Sequence, residues 1–328
     1  MDIALIVLII LALAFDLLNG IHDSSNIVAT MISSRALSPK AALTITALAH
    51  FFGPFIFGVA VAKTIGDEIV ISGSISVGMI IAALIAAILW NLLTWWLGMP
   101  SSSSHALIGG LLGAVATGAG WQVIKFGGIE KVLLALFVSP IIGFVGGWLI
   151  TKIIYLLCRN SSPKVNWVFK KTQIITSIAL ALSHGTNDAQ KTMGIITLGL
   201  VTGGFLKSFT VPIWVIILCA SMIAIGTAIG GWRLIRTLGA KFYKIRPIDG
   251  FSSQVTSAAV IICASLVGGP VSTTQVVSTT IMGVGAADRI NKVRWGVAGE
   301  IAMAWLLTIP ATAFVAAGIY FLVRLIIH

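Results

Sequence analysis

The chain has 328 residues, of which 58% are hydrophobic and 9% are charged, and its mean hydropathy is +1.05. Charged residues make up about a quarter of an ordinary soluble domain, so this composition excludes a soluble fold and predicts an all-α polytopic membrane protein. The net charge of +11 is explained by basic loops that stay on the cytoplasmic side, without a nucleic-acid partner.

Apolar runs in chain order predict about ten membrane crossings, with bounds defined to within several residues. They lie near 3–19, 41–62, 75–99, 101–120, 132–157, 172–206 (interrupted), 210–231, 252–267, 271–285 and 297–325. Most of the 21 Lys and Arg residues fall in cytoplasmic loops if the N-terminus is outside. The distribution therefore predicts a multi-pass protein of the plasma (inner) membrane with both termini outside.

The second half of the chain repeats the first. Residues 20–23 (GIHD) align with 185–188 (GTND), and 100–113 (PSSSSHALIGGLLG) align with 270–283 (PVSTTQVVSTTIMG). Five crossings per repeat is an odd number, so the repeats are expected to have opposite orientations, as in secondary transporters. The predicted units are a first inverted repeat over 1–157, a basic cytoplasmic linker over 158–171 and a second repeat over 172–328.

Two motifs, GIHDSSN (20–26) and SHGTNDAQK (183–191), place a carboxylate after an apolar run and a glycine. The glycine is expected to break the helix, and irregular backbone inside a membrane is tolerated only beside a cavity or within protein. A carboxylate at helix-centre depth costs roughly 2.5–3.5 kcal/mol on insertion scales. Asp23 and Asp188 are therefore expected to bind a ligand, and the alternative is that they cap half-helices at the aqueous boundary.

Two further motifs place proline before a run of hydroxyl residues, which is typical of a helix start. The free N–H groups and the positive dipole end of such a start bind anions. Helix packing or bonding to the preceding turn is the alternative, and it is preferred for Ser101. The hydroxyls expected to hold an anion are those of Ser102, Ser103, Ser104, Ser272, Thr273 and Thr274.

Other polar residues of the predicted spans leave their roles open. Lys191 either pairs with a carboxylate or contacts an anionic substrate. His22 either modulates the proton affinity of its neighbour Asp23 or donates to an anion. A satisfied buried state is the simplest interpretation of His50, whereas the role of His184 stays open. Asp16 and Glu300 lie near span ends, and one interpretation places them at the membrane boundary.

Enzyme signatures are missing from the sequence, which contains no H-E-x-x-H, C-x-x-C or G-x-x-x-x-G-K-[ST] motif. Zinc hydrolysis and nucleotide hydrolysis therefore lack their usual signals. An intramembrane aspartyl protease could use two aspartates as a dyad, but it has no need of duplicated Ser/Thr helix starts. A passive anion channel would not need paired carboxylates. A transporter that is not an enzyme fits best.

The four motifs resemble the inorganic phosphate transporter (Pit) family, and GIHDSSNIVATMISSRAL (20–37) and SHGTNDAQKTMGIITLGL (183–200) are especially similar to its bacterial low-affinity branch. The SSSSH and PVSTTQ segments resemble its two hairpin elements. The resemblance places on the two family signatures Asp23, Asn26, the Arg35 region, Asn187, Asp188, Gln190 and Lys191. It implies a secondary transporter that moves phosphate with protons or sodium, in some members as a neutral metal–phosphate complex.

The family's common variant has asparagine before the first aspartate, where this chain has His22. Imidazole is a poor sodium ligand and a good proton carrier, so this difference favours proton symport over the sodium-coupled alternative. Sulfate transport on the same scaffold is the other alternative, because hydroxyls and N–H groups serve any tetrahedral oxyanion. No resident cofactor is expected, and a divalent metal travelling with phosphate is left open.

Two carboxylates and a divalent anion within about 5 Å would repel by roughly 3 kcal/mol per pair of unit charges at an effective dielectric of 20. Cations are therefore expected to enter with the substrate. The expected cation ligands are Asp23, Asp188, His22, Asn26 and Gln190. The expected phosphate ligands are the six hydroxyls named above, Asn187 and Lys191. Inorganic phosphate and membrane lipids are the expected partners, and a homodimer is compatible with such folds.

Overall fold

The computed structural model describes residues 2–99, 101–230 and 245–327, without the side chains of Asn26, Val297, Glu300, Ile326 and Ile327. The side chain of Glu300, interpreted as a boundary residue, and the basic residues of 231–244, assigned to a cytoplasmic loop, therefore lie outside the described part of the structure. The eleven described helices are α1 (Ile3–Ser33), α2 (Pro39–Ile56), α3 (Ala60–Lys63), α4 (Val77–Leu97), α5 (Ser103–Gly118), α6 (Phe126–Leu157), α7 (Val165–Thr202), α8 (Ile213–Ile229), α9 (Pro247–Leu266), α10 (Thr273–Asp288) and α11 (Trp295–Ile327).

The all-α membrane fold is confirmed, with several apolar spans. In the described chain, 4 helices are long and apolar enough to cross a membrane, and a pair bent by 72°, Pro39–Ile56 and Ala60–Glu68, makes a fifth. Helices α5 and α10 have 16 residues each, or about 24 Å, against a hydrocarbon core of about 30 Å. Each packs on the helix before it, which makes α4–α5 and α9–α10 helical hairpins.

The predicted helix breaks at Gly20 and Gly185 are wrong. Helix α1 runs unbroken for 31 residues and α7 for 38 residues. The described break in a span lies instead between α2 and α3, where Gly58 has a φ of 77°. Helix α7 also begins at Val165, inside the predicted linker.

Gly20 and Gly185 serve close helix packing. A Cβ on Gly20 would lie 2.4 Å from the Ile223 carbonyl oxygen of α8, and one on Gly185 would lie 2.6 Å from the His50 Cα of α2. Real Cβ atoms do not approach other atoms so closely, so these positions fix how near α8 and α2 come to the two polar helices. The two glycines in the polar motifs therefore have a structural role, but that role is close contact between helices and not a helix break.

We expect Gly20→Ala and Gly185→Ala each to destabilise the protein by about 1–3 kcal/mol, the usual cost of overpacking. Thermal unfolding in detergent would measure this loss. Gly318→Ala is the matched control, because it is also helical and a Cβ there meets nothing within 4 Å. Alanine should be tolerated or mildly stabilising at position 318; equal losses at all three positions would contradict the packing role.

The order of elements repeats along the chain. Ser102 and Ser272 are the N-caps of α5 and α10, and each of these helices is followed by a short 3₁₀ turn and a long helix with an internal proline, Pro140 or Pro310. The opposite orientation of the two halves across the membrane stays a prediction.

The two halves interlock. Helices α1, α4, α5 and α11 pack together as a first group, and α7, α9, α10 and α6 pack together as a second group. The long last helix of each half therefore packs with the hairpin of the other half. Helices α1 and α7 also contact each other, so the boundary between the two groups runs between the two helices that carry the aspartates.

Two buried apolar clusters flank the centre of α1 and α7. One contains buried apolar side chains of α1 between Leu5 and Phe15 and of α7 between Ala189 and Leu200, and the other contains those of α1 between Ile27 and Met31 with Leu180 and Ala181 of α7. The polar segments 16–25 and 183–188 lie between these clusters. This arrangement keeps their carboxylates away from lipid.

An ion-pair network fixes the ends of α9 and α10 that lie far from the hairpin turn. Arg246 contacts Asp249 at 3.1 Å and Asp288 at 3.4 Å, and Lys292 lies 2.9 Å from Asp288. The hydrogen bond to Asp249 raises the pKa of Arg246 above its usual value. The second hairpin is thus tied at its base, which steadies the turn that enters the site.

Candidate functional site

The starts of α5 and α10 meet inside the protein. Ser102 Oγ accepts from the His105 N–H at 3.2 Å, and Ser272 Oγ accepts from the Gln275 N–H at 3.4 Å. The side chains of His105 and Gln275 lie 3.4 Å apart through their Nε2 atoms. Both predicted helix starts are therefore real, and the two positive dipole ends lie close together.

Ser102 and Ser272 use their hydroxyls as N-caps of the two helix starts. Ser103 is buried in the first turn of α5, and Ser104 Oγ donates to the Val271 carbonyl at 3.1 Å. The last contact ties one hairpin turn to the other. The caps leave N–H groups of both first turns as the natural donors to an anion.

Asp188 lies at the centre of a buried polar cluster. Lys191 Nζ donates to Asp188 Oδ1 at 2.5 Å and to Ser104 Oγ at 2.6 Å. Thr273 Oγ1 donates to Asp188 Oδ2 at 3.1 Å. Because Lys191 and Asp188 are only 1% and 0% exposed, the structure favours the pairing interpretation of Lys191 and still places its ammonium at the start of α5.

Asp23 joins the same cluster from α1. Thr274 Oγ1 donates to Asp23 Oδ1 at 2.7 Å, and Thr273 Oγ1 lies 3.5 Å from Asp23 Oδ2. The ring of His22 approaches Asp23 Oδ1 to 3.5 Å through Nδ1. Thr273 thus stands between the two carboxylates, and neither aspartate lies at an aqueous boundary, since both are buried.

His184 completes the cluster, although the sequence left its role open. Its Nδ1 lies 3.3 Å from Asp188 Oδ2. His50 stacks on it with ring centroids 4.9 Å apart and planes 8° from parallel, and His50 Nδ1 lies 2.7 Å from Thr227 Oγ1. The usable signal was the i, i+4 spacing of His184 and Asp188, which has meaning only if the helix continues through Gly185.

The cluster has a donor set that fits a divalent metal. Ligand atoms of Asp23, His184 and Asp188 all lie within 4.8 Å of one another. Carboxylate oxygens and imidazole nitrogens bind zinc and similar ions at about 2.0–2.2 Å, so small side-chain shifts would close such a site. Lys191, at 2.5 Å from Asp188 Oδ1, competes for the same carboxylate.

The predicted phosphate ligand Asn187 uses its amide N–H groups on α9 and on the turn that precedes α10. Its Nδ2 donates to Ser265 Oγ at 2.8 Å and to the Gly269 carbonyl at 3.2 Å, while Oδ1 has no partner among the described residues. Both amide hydrogens are used, so the free oxygen suits a cation better than phosphate. The side chain of Asn26 lies outside the described part of the structure.

Gln190 contacts the break between α2 and α3. Its Oε1 accepts from the Val61 N–H at 2.8 Å and from the Ala62 N–H at 3.3 Å. These are donors of the first turn of α3, which lack helical partners. The structure therefore gives this predicted cation ligand a capping position.

We expect Gln190→Leu to lower the free energy of unfolding by about 1–3 kcal/mol, because two buried N–H groups lose their acceptor. The same change at Gln122, an exposed side chain that donates to the Ala119 carbonyl, is the matched control and should change stability little. Chemical unfolding in detergent measures the loss. If Gln190→Leu kept full stability but lost its dependence on the coupling cation in uptake assays, the cation role would hold and the capping role would be wrong.

The sequence was compared with protein families and with known proteins. A sequence model of the phosphate transporter family matches residues 19–167 and 158–316. The chain is 44% identical over 333 residues to a "probable low-affinity inorganic phosphate transporter" of Bacillus subtilis, covering 99% of this chain and 100% of that protein. A protein of the same description from Rhizobium meliloti is 44% identical over 324 residues, covering 98% and 97%.

A solved structure described as "The sodium-dependent phosphate transporter" superposes with a TM-score of 0.92 at 25% identity, covering 99% of this chain and 100% of that one. The similarity therefore extends over the whole chain in sequence and in fold. It includes both hairpins and both aspartate helices. The chain belongs to the phosphate transporter family, a family of membrane transport proteins and not of enzymes.

Proposed function

We propose that this protein is a secondary active transporter that carries inorganic phosphate across the membrane by symport with protons. The observation that carries the proposal is that two helix starts and two buried carboxylates lie at the same place. The helix starts favour an anion, whereas the carboxylates of Asp23 and Asp188 repel it. Thr273, at 3.1 Å and 3.5 Å from the two carboxylates, belongs to both sets. An anion placed there would be stable only with compensating cations.

The balance of charge in the cluster requires cations to move together with phosphate. Lys191 brings one ammonium to the carboxylates of Asp188 and Asp23, and its contact with Asp188 is already 2.5 Å. A phosphate dianion about 5 Å from a carboxylate would be repelled by roughly 3 kcal/mol per unit-charge pair. Protons or other cations taken up at Asp23 and Asp188 would remove this repulsion, and their release would expel phosphate on the other side.

Imidazoles support protons as the coupling cation. His22 lies 3.5 Å from Asp23 and His184 lies 3.3 Å from Asp188, so each carboxylate has beside it an imidazole, a side chain able to pass protons. Sodium is the alternative, favoured by the name of the structural neighbour, which is sodium-dependent. Oxygen atoms of Asn187, Asp23 and Asp188 are the ligands a sodium ion would use there.

Phosphate is preferred to sulfate because it keeps a titratable O–H near neutral pH, which can donate to a carboxylate. The relatives from Bacillus subtilis and Rhizobium meliloti are also described as phosphate transporters. A metal–phosphate complex is the second candidate substrate, favoured by the ligand set of Asp23, His184 and Asp188.

Alternating access would come from rocking of the two interlocked helix groups around the site. The proposal includes inverted repeats over 1–157 and 172–328, joined by a linker over 158–171 that the start of α7 shortens. It also includes a location in the plasma membrane with both termini outside. The exposed apolar faces of α6 and α11 suit contact with lipid. A homodimer stays part of the proposal.

The test is uptake of radiolabelled phosphate by purified protein in liposomes, with an inward proton gradient and an inward sodium gradient imposed separately. We expect the proton gradient alone to drive accumulation, and excess sulfate not to compete. Accumulation driven by sodium alone would overturn proton coupling. Inhibition by sulfate, or uptake that never exceeds equilibration, would replace the phosphate symporter by a sulfate permease or a channel.

A further inference from the structure

Asp16 is a buried carboxylate that the proposed phosphate site does not use. It lies within α1, is 0% exposed, and neither of its oxygens has a hydrogen-bond partner among the described residues. The interpretation of Asp16 as a boundary residue is therefore wrong. It precedes Asp23 by two helical turns, about 10 Å along the helix axis.

Two further unsatisfied side chains accompany Asp16. Asn19 lies one turn further along the same face of α1, is 1% exposed, and has partners for neither amide atom in the described structure. The hydroxyl of Thr192 on α7 approaches the Asp16 carboxyl, but forms no hydrogen bond of normal geometry there. Buried polar groups nearly always have a partner, so three unsatisfied neighbours together point to a binding site.

Nearby protein charges do not neutralise Asp16. The charged groups that act on it are Asp188 and Lys191 of α7, and Lys191 is already 2.5 Å from Asp188. On α8, the group that faces Asp16 is the thiol of Cys219, which is no cation. An ionised carboxylate without compensation inside a protein costs several kcal/mol, so an ionised Asp16 needs a cation of its own.

We propose that Asp16, Asn19 and Thr192 form a second cation site, which binds sodium through the carboxylate, the amide oxygen and the hydroxyl. All these donors are oxygens, which suit hard cations, and the single carboxylate matches a single positive charge. Oxygens around an ion of comparable size lie about 2.3–2.6 Å from the ion. Oxygen atoms that share an ion in this way do not form hydrogen bonds with each other. The side chains of Asp16, Asn19 and Thr192 likewise form none with each other.

The position of this site gives the cation a specific effect. Asp16 and Asn19 belong to the first helix group through α1, and Thr192 belongs to the second group through α7. A bound ion would join the two groups about two turns from Asp23. The site goes beyond the proposed function, because it uses none of the residues assigned to phosphate or to the proton-coupling carboxylates.

The test uses purified full-length protein in detergent without phosphate. Thermal unfolding is compared in sodium chloride and in choline chloride at equal ionic strength, and binding of radioactive sodium is measured in parallel. We expect sodium to raise the unfolding temperature of the wild-type protein in a saturable way. Asp16→Asn should abolish this shift, and Thr192→Val, which replaces the hydroxyl by a methyl group, should weaken sodium binding.

Two control variants locate the ion. Asp67→Asn removes a carboxylate outside the cluster, and Asp23→Asn removes one at the proposed coupling site; both should keep the sodium-dependent shift. Loss of sodium binding in Asp23→Asn with retention in Asp16→Asn would overturn the proposal. So would a wild-type protein whose stability responds to pH but not to sodium, since Asp16 would then hold a proton. Phosphate uptake in liposomes is a separate measurement, so either proposal can fail alone.

Discussion

Asp23→Asn is expected to lower gradient-driven phosphate accumulation by roughly 10²-fold, the lower end of what a positioned proton-transfer group contributes. Asparagine has the shape of aspartate but takes up no proton near neutral pH. Its Oδ1 can still accept the hydrogen bond that Thr274 donates at 2.7 Å. The variant should therefore fold, and uptake in liposomes under an inward proton gradient should show the loss.

Asp67→Asn is the matched control for this loss, because it removes a carboxylate that is only partly buried and lies outside the cluster. It should accumulate phosphate like the wild-type protein. An exchange assay, in which labelled phosphate equilibrates against unlabelled phosphate without a gradient, separates binding from coupling. If Asp23→Asn accumulated phosphate under the gradient at the wild-type level, Asp23 would not carry the coupling cation.

The architecture and most of the cluster were predictable because their causes are local in the sequence. Apolar runs gave the helices, and the Ser102 and Ser272 caps follow from the preference of hydroxyl residues for helix starts. The aligned motifs also indicated that Asp23, Asp188 and the hydroxyls of Thr273 and Thr274 belong together. The structure brings these side chains within hydrogen-bond distance.

What the sequence did not reveal depends on contacts between helices. Glycine beside polar residues is compatible both with a break and with a close approach, and only the position of Ile223 or His50 against the glycine decides between them. The wrong choice at Gly185 concealed the helical spacing of His184 and Asp188. The capping of α3 by Gln190 was not predictable from local pattern, because α3 is distant from Gln190 in sequence.

The burial of Asp16 was likewise not predictable from the sequence alone. Its position in the first apolar run suggested a span end because the helix was expected to stop near Gly20. In a helix that continues to Ser33, the same residue becomes central and buried. Burial of a polar residue near a span end is therefore a question of helix length, which local pattern defines poorly.

Lys191→Met is expected to abolish transport and to lower the free energy of unfolding by about 3–5 kcal/mol, the usual effect of breaking a buried ion pair from one side. Methionine keeps most of the length of the side chain but leaves Asp188 without the ammonium that lies 2.5 Å away. Chemical unfolding in detergent and uptake in liposomes measure the two losses. Lys63→Met, at an exposed position, should change neither.

The double variant Lys191→Met with Asp188→Asn separates the two roles of the ammonium. Removing both charges leaves no unpaired charge at this position, so stability should return close to that of the wild-type protein, as double-mutant cycles show for coupled residues. Transport should stay abolished, because the start of α5 still lacks the cation that contacts Ser104 at 2.6 Å and the proposed coupling carboxylate of Asp188 is absent as well. A double variant that regained transport would restrict Lys191 to charge compensation and would show that coupling does not need Asp188, and phosphate would then be held by the helix starts and hydroxyls alone.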